Sequence, residues 1–376
     1  MMQLMSRIAI LSVSAGAGHV RAAEALRLAA EARGHKATHL DVMELVPRLF
    51  RKLYADSYLS IVERHPALWG YLYHASDRAP RDSRTNRLRR ALEALNTRTF
   101  ARRMTELAPD VVICTHFLPA QLLSRQIAKG RFTKPVWVAV TDFDVHLLWS
   151  HPHLTGYCVA ADEIACRIRE RGIGEAQVAV TGIPIVGAFR QQLDRQVCAR
   201  ELGLDPHKRT LLMMSGGFGV GAIDQLASRV LAVPGDFQVV ALAGKNRDLL
   251  ARLQTLAQAH PGRLLPMGFT TSIERVMACA DIAITKPGGL TTSECLAVGL
   301  PMLIVSPIPG QEERNADYLL ERGAALKAHD EAGLEYRVRR ILTEPELLPR
   351  MRAAIAGLGR PAAADSILDQ ALGGAP

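Results

Sequence analysis

Between Asp281 and Tyr318 the chain reads DIAITKPGGLTTSECLAVGLPMLIVSPIPGQEERNADY, residue types spaced to hold a phosphate beside a polyhydroxylated group. An apolar run, Ile282 to Ile284, ends at Thr285 and turns through Lys286-Pro287-Gly288-Gly289. A helical pattern follows from Leu290 to Val298, closed by Gly299 as a C′ glycine and by the helix-incompatible Pro301. Pro301 to Val305 then reads as a second buried strand. Such a helix start offers unpaired backbone N–H groups and a partial positive charge to an anion. Gly288, Gly289, Leu290 and Thr291 are the residues it would use. One turn in, Glu294 puts a carboxylate within reach of sugar hydroxyls, and Gln311, Glu312 and Asn315 follow the Pro309-Gly310 turn with further polar groups. A lone Gly-Gly makes only a turn, and a lone Glu there complements the helix dipole by about 0.3–1 kcal/mol. The clustering of four polar side chains behind the loop is what points to a ligand.

The elements that must position these groups repeat a strand, glycine loop and helix. Arg7 to Ser14 reads as a strand, Ala15 to His19 as a tight loop, Arg21 to Arg33 as a helix ending before Gly34, and His35 to Val42 as the next strand. The glycines do not complete the dinucleotide fingerprint, because Arg21 stands at the third position. Asp41 lies near where a ribose-binding acid would be, so a nicotinamide dinucleotide site stays open on these residues. Buried strands are predicted at Ala108 to Thr115, ending at His116, and at Pro135 to Thr141, ending in Asp142, His146 and Trp149. Open α/β sheets place ligand contacts at the carboxyl ends of parallel strands. His116, Asp142 and His146 are therefore ligand candidates, weighed against plain loop or capping roles. Tyr157 to Ala160 starts another strand, and Val178 to Thr181 leads into Gly182-Ile183-Pro184.

Phe189 to Leu204 reads as a linker into a second domain. There Thr210 to Met214 is a strand followed by Ser215-Gly216-Gly217-Phe218-Gly219 and a helix from Ala222 to Leu231. Gln238 to Ala243 leads to Gly244-Lys245-Asn246, where Lys245 can meet a phosphate, and Leu264 to Met267 leads to Gly268-Phe269. The expected divisions are 1–188, 189–340 and a C-terminal helical segment 341–376, with the helical stretch Glu335 to Leu358 as a candidate for packing back on the first domain.

KPGGLTTSE followed by PGQEERNADYL resembles the donor-site signature of glycosyltransferases with the two-domain GT-B fold. The nearest likeness is to the monogalactosyldiacylglycerol synthases and processive diacylglycerol glycosyltransferases, with the lipid-linked GlcNAc transferase of peptidoglycan synthesis more distant. GxGH followed by AA at 16–23, THFLP at 115–119, TDFxxHxxW at 141–149 and GIP at 182–184 resemble further motifs of that family. The resemblance implies an α/β protein of two Rossmann-like domains facing across a cleft. It implies that Ser215, Gly216, Gly217 and Gly219 face a donor diphosphate, and that Gly268 and Phe269 hold the base. Gly18, His116, His146 and Trp149 would line the acceptor side, and His19 would be the general base, with Asp142 or His116 as alternatives. The implied reaction moves a hexose from UDP-glucose or UDP-galactose to diacylglycerol with inversion. No metal or other cofactor is expected, since helix N-termini and Lys245 can neutralise the diphosphate, and Asp142-Phe143-Asp144 is the only Asp-x-Asp spacing. Ala15 and Ala17 stand where such loops often carry glycine. Two other readings share the fold: transfer of GlcNAc to a polyprenyl-linked acceptor, and a non-hydrolysing UDP-GlcNAc 2-epimerase. A non-enzymatic nucleotide- or membrane-binding protein is the third.

Composition narrows the setting. The chain has 376 residues, 48% of them hydrophobic and 22% charged, ordinary values for a folded protein of two or three domains. Six cysteines without CxxC or zinc-like spacing suggest a reducing, cytoplasmic compartment. The short apolar core Ile8 to Val13 flows into a glycine loop and reads as a strand, not a signal peptide. No apolar run reaches the roughly 18 residues a membrane span needs. The net charge of +9 is concentrated in the segment 47–104. Six of the nineteen aromatic residues lie between Phe50 and Tyr73, followed by Arg78, Arg81, Arg84, Arg87, Arg89, Arg90, Arg98, Arg102 and Arg103. Such a segment is either an amphipathic helix with a solvated basic face or a surface that meets an anionic membrane, at about 1 kcal/mol per basic side chain. No nucleic-acid reader motif accompanies it, so nucleic acid is not the expected partner. The expected location is the cytoplasmic face of the cell membrane, peripherally attached; oligomeric state is not legible.

Overall fold

The computed structural model describes residues 5–14, 16–45, 97–214 and 223–373. The aromatic and arginine-rich stretch up to residue 96, and Ser215, Gly216, Gly217 and Gly219, lie outside the described residues. The chain divides into two compact units. One takes residues up to Gly187, with Pro309–Gln311 and everything from Ala362 onward; the other takes Ala188–Ile308 and Glu312–Pro361.

Short apolar runs become central strands buried on both faces, as parallel sheets require, with half-buried strands at the edges. In the first unit these are β1 (Arg7–Ser12), β2 (Lys36–Asp41), β3 (Val111–Cys114), β4 (Val136–Ala139), β5 (Gly156–Val159) and β6 (Val178–Val180). They pair in parallel in the order β2-β1-β3-β4-β5-β6. Between them run α1 (Ala17–Ala32), α2 (Thr97–Leu107), α3 (Phe117–Ala128) and α4 (Asp162–Glu170). α2 buries Phe100 and Met104, while Arg102 and Arg103 face outward and pair with Glu106.

The second unit opens with α5 (Arg195–Glu201), inside the stretch expected to be linker. Its sheet contains β7 (Arg209–Met214), β8 (Phe237–Leu242), β9 (Leu264–Met267), β10 (Ile282–Thr285), β11 (Met302–Val305) and β12 (Ala325–Ala328), all parallel, in the order β12-β11-β10-β7-β8-β9. Counted within the unit this is the doubly wound order 3-2-1-4-5-6. The helices are α6 (Ile223–Ala232), α7 (Arg247–Ala259), α8 (Ile273–Cys279), α9 (Gly289–Ala297), α10 (Gln311–Glu321), α11 (Glu331–Thr343) and α12 (Leu347–Ile355).

The helical stretch expected from Glu335 to Leu358 forms two helices, α11 and α12, because Glu344-Pro345 interrupts the backbone ladder. Both stay in the second unit. The chain rejoins the first unit through the last helix alone, α13 (Ala363–Gly373). α13 buries Ala364, Ile367, Leu368 and Ala371 against Ile8, Ile10, Leu26 and Ile113.

In each sheet the order reverses at one place, between β1 and β3 and between β7 and β10. These reversals leave crevices at the strands' carboxyl ends, where open α/β sheets bind ligands. The helix starts that follow β1 and β10 lie at those ends.

Candidate active site

In the first unit three carboxyl-terminal strand ends converge on one imidazole. His19 is the third residue of α1, and the helix N-cap, Gly16, provides no side-chain cap. Its Nδ1 lies 2.8 Å from the carbonyl oxygen of Thr115, just past β3, and 2.9 Å from the Thr141 hydroxyl, just past β4. A carbonyl oxygen only accepts, so Nδ1 carries the proton and the neutral ring leaves Nε2 as its acceptor. The Thr115 hydroxyl donates to the His19 carbonyl at 2.9 Å, so one residue holds both ends of the histidine. Burial pushes the His19 pKa down from 6.5 to about 4, with the Thr115 hydrogen bond opposing. The positive end of α1 acts in the same direction as burial.

His116 meets His19 edge-on with ring centroids 4.6 Å apart, and the Trp149 ring lies 6.2 Å from each of them. Phe117 completes the cluster at 4.1 Å from His116 and 6.0 Å from Trp149. His116 is also the N-cap of α3: its Nδ1 accepts from the Leu118 N–H at 3.1 Å. Burial, and then the neighbouring His19, hold its pKa well below the usual histidine range. His146 caps the turn Leu147–Trp149 in the same way, accepting from the Leu148 N–H at 3.1 Å. Both histidines therefore have the capping role that their positions allowed, with Nδ1 occupied, and of the two only His116 packs on the His19 ring. Asp142, next to Thr141, is half-buried. Gly18 precedes His19 in the uncapped first turn of α1. Asp41, open to a ribose role in the sequence, is instead a staple: its Oδ1 accepts from the N–H groups of Ser14 at 3.2 Å and Met43 at 3.0 Å.

In the second unit β10 ends at Thr285, and Lys286 to Gly288 lead into α9. Gly288 is the N-cap and supplies no side-chain acceptor. The first intrahelical bond there runs from the Thr292 N–H to the Gly288 carbonyl at 2.8 Å. The N–H groups of Gly289, Leu290 and Thr291 thus form an open helix start, geometry suited to an anion. At the other end Gly299 at φ 68° closes the helix, with Leu300 N–H on the Cys295 carbonyl at 2.9 Å and Gly299 N–H on the Leu296 carbonyl at 3.3 Å. That is a Schellman closure, and the positive φ is why glycine stands there. Glu294 is 2% exposed on the inner side of α9.

Two of the candidate ligand residues from α10 hold the loops themselves. The Asn315 amide, fully buried, donates to the Pro287 carbonyl at 2.9 Å. Glu312 accepts from the Ile308 N–H at 2.7 Å, with its other oxygen facing Gly288. Burial raises its pKa, against the Ile308 N–H and the Lys286 charge. Gln311, half-buried, begins α10. At the ends of β8 and β9, the exposed Lys245 sets its Nζ 5.1 Å from the ring centroid of Phe269, which is 59% exposed beside Gly268.

The structure thus gathers His19, His116 and Trp149 in one unit, and Gly288 to Thr291, Glu294, Glu312 and Asn315 in the other. Sequence reasoning missed Thr115, Thr141 and Phe117. Both threonines end predicted strands and open the THFLP and TDF motifs, so the signal was the strand end itself.

Two family models cover most of the chain: the monogalactosyldiacylglycerol (MGDG) synthase model over residues 19–185 and the glycosyltransferase family 28 C-terminal domain over 211–367. Among curated proteins, a processive diacylglycerol beta-glucosyltransferase of Bacillus licheniformis is 28% identical over 362 residues, 95% of this chain and 92% of that one. Its counterpart in Bacillus cereus is 32% identical over 265 residues, 70% and 68% of the two chains. Among solved structures, Acinetobacter baumannii MurG superposes with a TM-score of 0.63 at 16% identity, covering 97% of this chain and 98% of that one. A co-structure of Staphylococcus aureus MnaA with UDP gives 0.63 at 13% identity, covering 97% and 96%. These two likenesses concern the fold, which is GT-B with two Rossmann-like units.

Proposed function

The chain belongs to the family that joins the monogalactosyldiacylglycerol synthases and the processive diacylglycerol glycosyltransferases, and from that membership we propose that it moves a hexose from UDP-glucose or UDP-galactose to the hydroxyl of diacylglycerol, inverting the anomeric centre. The observation that carries this reading is the pairing of an open helix start after β10 with a neutral, doubly anchored histidine after β1. The first suits a diphosphate; the second suits a hydroxyl that must lose its proton.

The N–H groups of Gly289 to Thr291 and the Lys245 ammonium take the diphosphate charge, and the loop Ser215 to Gly219 adds its own backbone donors. Glu294, Gln311 and Glu312 meet ribose or sugar hydroxyls. Gly268 and Phe269 hold the base, and Asn315 keeps the Pro287 carbonyl, and with it the loop, in place. Gly18, His116, His146 and Trp149 shape the acceptor side around His19. The acceptor oxygen bonds to the anomeric carbon as the bond from that carbon to the diphosphate oxygen breaks, the electron pair leaving with UDP. His19 Nε2 takes the hydroxyl proton. Its pKa of about 4 makes it a weak base in the resting state, so transfer becomes favourable only as the attacking oxygen gains positive charge. Attack from the face opposite UDP converts an α-linked donor into a β-glycoside. The charge balance is met by helix start and lysine, without a metal. Asp142 is the alternative base.

The reaction takes place at the cytoplasmic face of an anionic membrane, which the arginines between Arg78 and Arg103 meet electrostatically. Among the described residues no helix is long and apolar enough to cross a membrane.

Radiolabelled UDP-glucose and UDP-galactose, each incubated with the protein and diacylglycerol vesicles and then extracted into organic solvent, test the reading. Label in a β-linked glycolipid is the expected outcome, faster on vesicles with anionic lipid. Label that stays on UDP-sugar, or acceptor-independent epimerisation of UDP-GlcNAc, overturns it.

A further inference from the structure

The family relationship leaves open what holds the base, and the first unit answers with two uncharged groups from different strands. Thr115 contributes its main-chain carbonyl and Thr141 its hydroxyl, both within hydrogen-bond reach of the same ring nitrogen. Thr141 is 3% exposed and Thr115 fully buried, so neither acceptor is exchanged for bulk water. Nδ1 has one proton to share between them. The Thr115 carbonyl, which can only accept, favours the proton on Nδ1, but one acceptor leaves the ring free to pivot away from it and to exchange that tautomer for the other. Two acceptors, just past β3 and β4, fix the ring plane, and with it the direction of the Nε2 lone pair.

We propose that Thr141 is the positioning residue of the base, its hydroxyl and the Thr115 carbonyl together pinning the Nδ1–H of His19 so that Nε2 is aimed at the reacting hydroxyl. The proposal rests on His19 being the base. It also assigns a consequence to the absence of a negative partner at Nδ1. Among the described residues no carboxylate is hydrogen-bonded to the His19 ring; the groups against it are the titratable but buried His116, the uncharged Trp149 and the two threonines. Asp142 follows Thr141 in the chain and is the nearest acid in sequence. Two dipoles orient the imidazole without stabilising a resting imidazolium as a carboxylate would, so the base stays neutral and ready well into mild acid.

The test compares full-length Thr141→Val, Thr141→Ser and His19→Ala proteins in the lipid-transfer assay across pH, with UDP affinity and melting temperature measured beside it. Valine keeps the shape and loses the hydroxyl; serine keeps the hydroxyl. Thr141→Val is expected to lose kcat by about tenfold or more, as a misaimed general base does, with KM for UDP-sugar within about twofold. Thr141→Ser is expected to restore kcat to within about threefold. Adding Thr141→Val to His19→Ala is expected to cost nothing further, since the two residues act as one unit. Nitrogen NMR of ¹⁵N-histidine protein, with the His19 signal assigned by difference from His19→Ala, reads the tautomer without any turnover. The His19 signal is expected as Nδ1–H in wild type and broadened or mixed in Thr141→Val. Wild-type kcat and tautomer in Thr141→Val with an inactive His19→Ala would overturn the positioning role alone. An active His19→Ala would overturn the base assignment and the proposal with it.

Discussion

At the residue scale the decisive feature is a histidine kept neutral by its surroundings. Its folded pKa, about 4, lies below the ordinary 6.5, so the unfolded chain takes up this proton first as pH falls. The stability contributed by the neutral ring is complete above pH 6.5 and is lost progressively as pH falls toward 4. His116 is shifted in the same direction and adds to the loss. Calorimetric melting temperature should therefore drop between pH 7.5 and 5, and His19→Gln, uncharged at both, should drop less; an equal drop would remove His19 from that effect. For catalysis, kcat/KM should stay level down to about pH 5 and fall below it, because that ratio reports the free enzyme's base. An acid limb centred near 6.5 would mean the ring is not desolvated in solution.

At the element scale the proposed donor half-site is one helix fixed at both ends. Its start is held by Asn315 through the Pro287 carbonyl, and Asn315→Ala leaves that carbonyl without its buried partner, a cost of about 1–3 kcal/mol. UDP affinity by calorimetric titration should weaken accordingly, while His19 chemistry is untouched. Its finish is packed against Gly359, where an added Cβ would lie 2.4 Å from the Leu296 carbonyl oxygen and 2.9 Å from its carbon. Both are backbone atoms, so Gly359→Ala must displace the chain, at about 1–3 kcal/mol seen as a lowered melting temperature. Most of this helix was legible in the chain: the glycine start, Glu294 and the Gly299 stop all fall where spacing put them. The strands were legible for the same reason, since buried parallel strands read as continuous apolar runs. What spacing could not give was the side chains' division of labour. Asn315 and Glu312 read as ligand contacts because they are polar and clustered; folding also gives each a structural bond, Asn315 to the Pro287 carbonyl and one Glu312 oxygen to the Ile308 N–H, with the other Glu312 oxygen toward Gly288. The anchoring of His19 by Thr115 and Thr141 joins positions 96 and 122 residues away, and no local pattern announces it.

At the scale of the whole molecule, the proposed chemistry is divided between two units, each with its own parallel sheet. The sequence showed two such units but not where the chain rejoins the first, because a helix of ordinary amphipathic pattern does not say which sheet it covers. Ending the chain at Pro361 would strip α13 from the first unit and uncover Ile8, Ile10, Leu26 and Ile113. Ile367 and Leu368, fully buried, alone represent about 3–6 kcal/mol of apolar burial. The truncated protein should show a lowered first-unit melting transition, with UDP still stabilising the second unit; an unchanged melting profile would refute that packing. Asp281 ties the second unit together in a comparable way, accepting from Arg195 and Arg352 and from the Thr210 N–H at 2.8 Å. Division of labour between the units has one direct test: kcat of His19→Ala for transfer from UDP-sugar to diacylglycerol, with UDP affinity measured on the same protein. The expected result is unaltered UDP affinity and a kcat reduced by about 10²–10⁴. A His19→Ala protein that transfers sugar at close to the wild-type rate would contradict it.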